Sequence, residues 1–217
     1  MDEHARIANL IAFYFGPNVA QEVPPKSKKA IEAVSHRAYR DLCRTLTHIG
    51  THPKKNKLLD ETHSSLYGVI TQLETDPVRD QQDFDDRHER WCLDRISFFK
   101  EHPHGDKNKK VDFTYGHAQK WINMTLKYLA VLQHPAVLEV YSYLHVPVDS
   151  IVYEEAEDPT LGIAVPRPPG GKKWSKLSGE QYRTYQEQLR GAIADQGECV
   201  APLDWEAKAW VNRASRQ

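Results

Sequence analysis

Cysteine is scarce in this chain of 217 residues: Cys43, Cys92 and Cys199 are far apart, odd in number and never in a C-x-x-C pair. That spacing argues against a disulfide framework or a structural zinc site, and too few thiols are present for a four-cysteine iron–sulfur cluster. The expected compartment is a reducing cytoplasm, and neither a metal nor any other cofactor is expected. Long apolar runs are missing too. Nothing approaches the roughly 18 apolar residues of a membrane span, and the first residues, with Asp2 and Glu3, lack the basic and apolar regions of a secretory signal. No membrane partner is expected. Charge of one sign is not in excess: 29 Lys and Arg against 30 Asp and Glu give a net charge of -1. That balance argues against binding nucleic acid through bulk positive charge alone, and any basic face must be gathered locally. Apolar and polar residues nowhere alternate long enough to define a sheet, and no internal repeat is visible.

What remains is helical periodicity. The pattern predicts helices over about 2–15, from a Ser27 cap to about 49, over 57–74, from the acidic run at 80–89 to about 102, and from 115 to about 132. Shorter ones follow through Leu144 and from Asp149 to about 156, and two more finish the chain at 178–194 and 202–214. The expected fold class is all-α, in a single domain over 1–217 with lobes of about 1–103 and 104–217. A Pro/Gly-rich stretch over 157–176 reads as a long loop. The acidic run at 80–89 reads as a solvated helix face. The histidines lack the paired spacing of a zinc hydrolase and read as ordinary surface or core residues.

The stretch over 115–132 is apolar nearly all round, as a helix buried in mid-domain must be. Two lysines interrupt it: Lys120 in its first turns and Lys127 two turns on, on roughly the same side of the cylinder. Twenty-nine positions after Lys120, Asp149 follows Val146-Pro147-Val148, where a helix can begin with an acid at its positive end. An amine at a buried helix start is a candidate nucleophile. A carboxylate at a second helix start can stabilise a developing cation or accept a proton.

Gly116-His117-Ala118-Gln119-Lys120 opening an apolar helix, with Val146-Pro147-Val148-Asp149 downstream, resembles the paired motif of the helix-hairpin-helix DNA glycosylase superfamily. Lys127 and the Ala201-to-Trp210 tail bring it nearest the archaeal 8-oxoguanine glycosylase branch; glycosylase-like proteins thought to act on hypermodified bases share the general pattern. The resemblance covers roughly 112–211. It implies a two-lobed helical fold with a helix-hairpin-helix-type element at about 100–132. It implies excision of an oxidised or otherwise modified base from double-stranded DNA, with or without strand cleavage, by Lys120 as nucleophile and Asp149 as the acid. Trp121 and His145 become candidates for the lining of the base pocket, Gly116 and His117 for the phosphate-binding turn, and Lys107, Lys109 and Lys110 for backbone contacts. The chain departs from the family in having one hairpin glycine instead of two, and Ser150-Ile151-Val152 after the acid. A non-catalytic protein of the same fold, binding modified DNA or a protein partner in phage defence, is the alternative.

Overall fold

The computed structural model describes residues 2–159, 163–170, 173–197 and 200–216, and among these no strand occurs. The all-α expectation holds. Among the described residues ten α-helices follow one another: α1 Glu3–Phe15, α2 Pro17–Ala20, α3 Lys28–Leu42, α4 Lys55–Thr75, α5 Gln81–Glu101, α6 Tyr115–Val131, α7 Pro135–Glu139, α8 Ser150–Glu157, α9 Gly179–Ala194 and α10 Pro202–Ser215. Single 3-10 turns stand at Cys43–Thr45, Ile49–Thr51, Tyr141–Tyr143 and Trp174–Lys176.

Side-chain caps start most of the long helices. Asp2, Ser27, Asp80, Thr114, Asp149 and Ser178 each accept a hydrogen bond from an amide of the first turn, which satisfies a donor the helix cannot. At α9, Gln181 reaches back to the Ser178 amide and closes a capping box.

Helix α6 is the axis of the molecule: of its 17 residues only Lys127 and Val131 are not buried. It packs most extensively on α3 and also touches α5, α7, α9 and the Trp174–Lys176 turn. Trp121, Ile122, Leu126 and Leu129 lie in one continuous core with Ile31, Val34 and Leu42 of α3 and Tyr182 and Leu189 of α9. Because α3 lies directly on α6, the boundary expected at 103/104 runs through packed core. The 145–149 segment leaves that core at Asp149 and turns into α8. Helix α10 is anchored to α8 by Arg213, 2.8 Å from Glu154, and by Arg216, which pairs with the buried Glu155.

Two helices stop earlier than their apolar spacing predicts. Helix α3 ends at Leu42, not near Ile49: Thr45 Oγ1 donates to the Leu42 carbonyl at 2.7 Å, and His48 adopts a left-handed φ of 60°. Leu46 and Ile49 still reach the core, through turns. Helix α7 ends at Glu139, and Tyr141–Tyr143 forms a separate turn. The acidic run is not wholly solvated either. Asp85 is buried, drawn inward by His145 at 2.7 Å and Arg190 at 3.0 Å. Lys172 and Cys199 lie outside the described residues.

Candidate active site

Lys120 projects from the second turn of α6 and is 4% exposed. Its Nζ donates to Asp149 Oδ2 at 2.7 Å and to the Pro147 carbonyl at 3.2 Å. The other carboxylate oxygen of Asp149 accepts the Val152 amide at 2.9 Å and so caps α8. One oxygen is committed to the helix start and the other to the amine. Two residues 29 positions apart thus form a single, nearly dry ion pair.

The pair faces a cavity of about 670 Å³ whose walls come from several parts of the chain, within the range usual for small-molecule sites. From α6 it takes Lys120, Met124, Lys127 and Tyr128, at helical spacing on one face. From α3 come Arg37, Arg40 and Asp41 and from the 3-10 turn that follows it Arg44, from α1 Tyr14, from the start of α8 Asp149, Ser150 and Ile151, and from α10 Glu206 and Trp210; Trp174 completes it.

Most of the charges are paired. Lys127 Nζ lies 2.5 Å from the buried Glu206. Arg37 donates to Asp41 at 2.6 Å and to the Tyr14 hydroxyl at 2.6 Å, with its guanidinium 4.3 Å from the centre of the Tyr14 ring. Tyr128 donates to Asp41 at 2.7 Å, and burial, before that contact, pushes its hydroxyl pKa up. Arg40 and Arg44 are exposed, and neither forms an ion pair with a carboxylate among the described residues. The result is a neutralised floor beneath two free guanidiniums, with tryptophans in the wall.

The other residues singled out in the sequence fall elsewhere. Trp121 is fully buried, and its indole donates to Ser35 Oγ at 3.0 Å beneath Tyr39 and His63. It is core and has no face on the cavity. His145 is also buried: its Nε2 donates to Asp85 at 2.7 Å and its Nδ1 meets the Tyr182 hydroxyl at 2.9 Å. Burial, ahead of the Asp85 contact that opposes it, lowers the His145 pKa below the usual histidine value.

Gly116 and His117 do not form an open phosphate cradle. The Thr114 side chain caps the His117 amide at 3.4 Å and donates to the Ser175 carbonyl at 2.7 Å. A Cβ built on Gly116 would stand 2.1 Å from the Trp174 carbonyl oxygen. The glycine is there so that the 174–176 turn can lie on the α6 start. Lys107, Lys109 and Lys110 line a different hollow, of about 610 Å³, formed by the loop between α5 and α6.

Met124, Trp174 and the α3 arginines were missed in the sequence. Met124 and Lys127 were reachable, since they follow Lys120 by one and two helical turns. The α3 arginines gave no signal, because only the docking of α3 on α6 turns that face toward the amine. Among the described residues no group of three or more His, Cys, Asp or Glu could hold a metal ion, and no helix is long and apolar enough to cross a membrane. Comparison with protein-family models, with curated proteins and with solved structures gave no match.

Proposed function

We propose that this protein is a DNA glycosylase that removes an oxidised or otherwise modified base from duplex DNA, with Lys120 and Asp149 as its catalytic pair. The observation that carries the reading is the 2.7 Å contact between the buried amine and the carboxylate at the edge of a cavity of about 670 Å³. The resemblance of their two motifs to those of helix-hairpin-helix glycosylases agrees with it.

The chemistry follows from the pair. Transfer of a proton from the Lys120 ammonium to Asp149 leaves a neutral amine, which attacks C1′ of an extruded nucleotide as the glycosidic C–N bond breaks. The base departs with the bonding electron pair and takes up a proton. The new C1′–N bond, after opening of the sugar ring, becomes a Schiff base, from which loss of a C2′ proton expels the 3′ phosphate. Hydrolysis of the Schiff base frees Lys120. Asp149 also faces the positive charge that develops on the sugar. Arg40 and Arg44 are placed for phosphate contacts, and Trp174, Trp210 and Met124 offer apolar wall to a base.

The test is borohydride trapping on duplexes that carry a panel of oxidised and hypermodified bases. A covalent adduct with the wild type, absent with Lys120→Ala, is the expected result. An adduct that persists in that variant, or none with any lesion, overturns the proposal. The covered α6 start favours one second reading: a non-catalytic protein of glycosylase type that binds modified DNA or a protein partner, whose DNA binding would survive Lys120→Ala.

A further inference from the structure

Residues 144–149 belong to no helix, yet 144–148 are buried. A buried backbone must place its amides and carbonyls in hydrogen bonds, and among the described residues none from 145–148 pairs with another backbone group. Proline at 147 removes one donor. From 146 to 148, side chains supply the partners. The Val146 amide donates to Gln186 Oε1 at 3.2 Å while Gln186 Nε2 donates to the Val146 carbonyl at 2.7 Å. Two residues on, the Val148 amide donates to Gln119 Oε1 at 3.2 Å and Gln119 Nε2 donates to the Val148 carbonyl at 2.9 Å. Lys120 takes the Pro147 carbonyl between them. Each glutamine amide thus acts as a neighbouring peptide would in a closely paired rung of an antiparallel ladder.

The orientation of Gln119 is fixed from behind. Its Oε1 also accepts from Asn123 Nδ2 at 3.1 Å, and the same nitrogen donates to the Tyr182 hydroxyl at 2.7 Å. Asn123 Oδ1 accepts from His88 Nε2 at 3.0 Å. A flipped Gln119 amide would set donor against donor at both Val148 and Asn123. Gln119, Asn123 and Gln186 are all at least 99% buried, so water does not substitute for them.

Gln119 is covalently next to Lys120, and Val148 next to Asp149. We infer that Gln119 is the positioning residue of the Lys120–Asp149 pair, with Gln186 a purely structural counterpart that holds the same segment two residues further back. Only its kinetic consequence rests on the glycosylase proposal. The geometric claim stands on the pairing alone: without the 119–148 rung, the carboxylate and the amine lose their common frame.

Three variants test it: Gln119→Leu, Gln186→Leu, and Gln119→Glu in case the first does not fold. Each leucine variant removes two hydrogen bonds to one valine, and Gln119→Leu also loses the one from Asn123, so both unfolding midpoints should fall, that of Gln119→Leu somewhat further. The first readout needs no activity. Reductive methylation with formaldehyde and cyanoborohydride, resolved by peptide mass spectrometry, should label Lys120 at least about ten-fold faster in Gln119→Leu and within about three-fold of wild type in Gln186→Leu. The second readout is single-turnover adduct formation on the trapped duplex. It should slow by about 100-fold in Gln119→Leu with duplex affinity nearly unchanged, since misplacement by about 1 Å costs about that much. Equal Lys120 labelling in the two variants overturns the inference whether or not any adduct forms. Unequal labelling with no adduct in wild type supports the positioning claim and overturns the glycosylase reading alone.

Discussion

The ammonium of Lys127 lies 2.5 Å from the carboxylate of Glu206, so the cavity wall carries a second ion pair two turns of α6 beyond the first. Glu206 has a side chain only 1% exposed, and its Oε1 has no partner among the described residues. Lys127→Met should therefore strand a buried charge and lower stability by about 3 kcal/mol. The double variant Lys127→Met/Glu206→Leu should recover most of that loss, because both charges leave together. Urea unfolding of the two single variants and the double variant measures it; a double variant less stable than both singles contradicts it.

Asp149→Asn should keep the α8 cap, since the amide oxygen still accepts from Val152, yet remove the proton acceptor beside Lys120. The expected outcome is adduct formation slowed by about 10² to 10⁴ with helical content and duplex affinity retained. Circular dichroism, fluorescence anisotropy and the trapping rate separate these effects.

Arg40 at the end of α3 and Arg44 in the turn after it stand free at the cavity, whereas Lys107, Lys109 and Lys110 border another hollow. Charge reversal at both arginines should weaken duplex binding at every sequence and flatten the slope of log K against log salt by about 0.9 for each phosphate left without its guanidinium. The same change at Lys107 and Lys110 should leave the slope nearly as in wild type. A larger effect from the lysines would move the DNA path onto the α5–α6 loop.

Burial holds both His63 and His117 near a pKa of about 4, well under the usual histidine value of 6.5. A depressed imidazole binds its proton more readily in the unfolded chain. Its contribution is thus complete above about pH 6.5 and disappears as pH falls from there towards 4. The two shifts amount to on the order of 3 kcal/mol each across that window. Burial lowers the pKa of His88 and His145 as well and adds in the same direction. Urea midpoints between pH 7 and 4.5 should fall steeply, and His63→Gln should reduce the slope by about one proton.

Gly116→Ala should force the Trp174–Lys176 turn off α6, because the new methyl would overlap the Trp174 carbonyl oxygen and the Ser175 backbone. A destabilisation of about 2 kcal/mol or more is expected. Trp174 is part of the cavity wall, so duplex binding should weaken as well. An unchanged midpoint would mean that the turn is not packed as described.

How much of this was legible from residues alone depends on the range of each interaction. Local signals carried through: Ser27, Asp80, Asp149 and Ser178 cap the helices their spacing announced, and an apolar stretch around Lys120 became the buried axis. The Lys120–Asp149 contact was reached through a paired motif. Composition does not reveal it. Trp121 and His145 show what a motif does not convey. Side chains near a cavity in sequence turn into the core when a partner such as Ser35 or Asp85 waits there. The end of α3 was hidden because Leu46 and Ile49 keep helical spacing while packing from turns. Gln119 and Gln186 were hidden more completely, since a buried glutamine has meaning only once the backbone it serves is known.

Tyr14 and Trp210 sit in the wall of one cavity although nearly the whole chain separates them. A ribosome must therefore release α10 before the hollow has its far side. A nascent chain that has already folded α6 still lacks Glu206 opposite Lys127, although Asp149 and Pro147 are already there for Lys120. Order of synthesis thus leaves the hollow open on that side, and Lys127 without its carboxylate, until α10 docks.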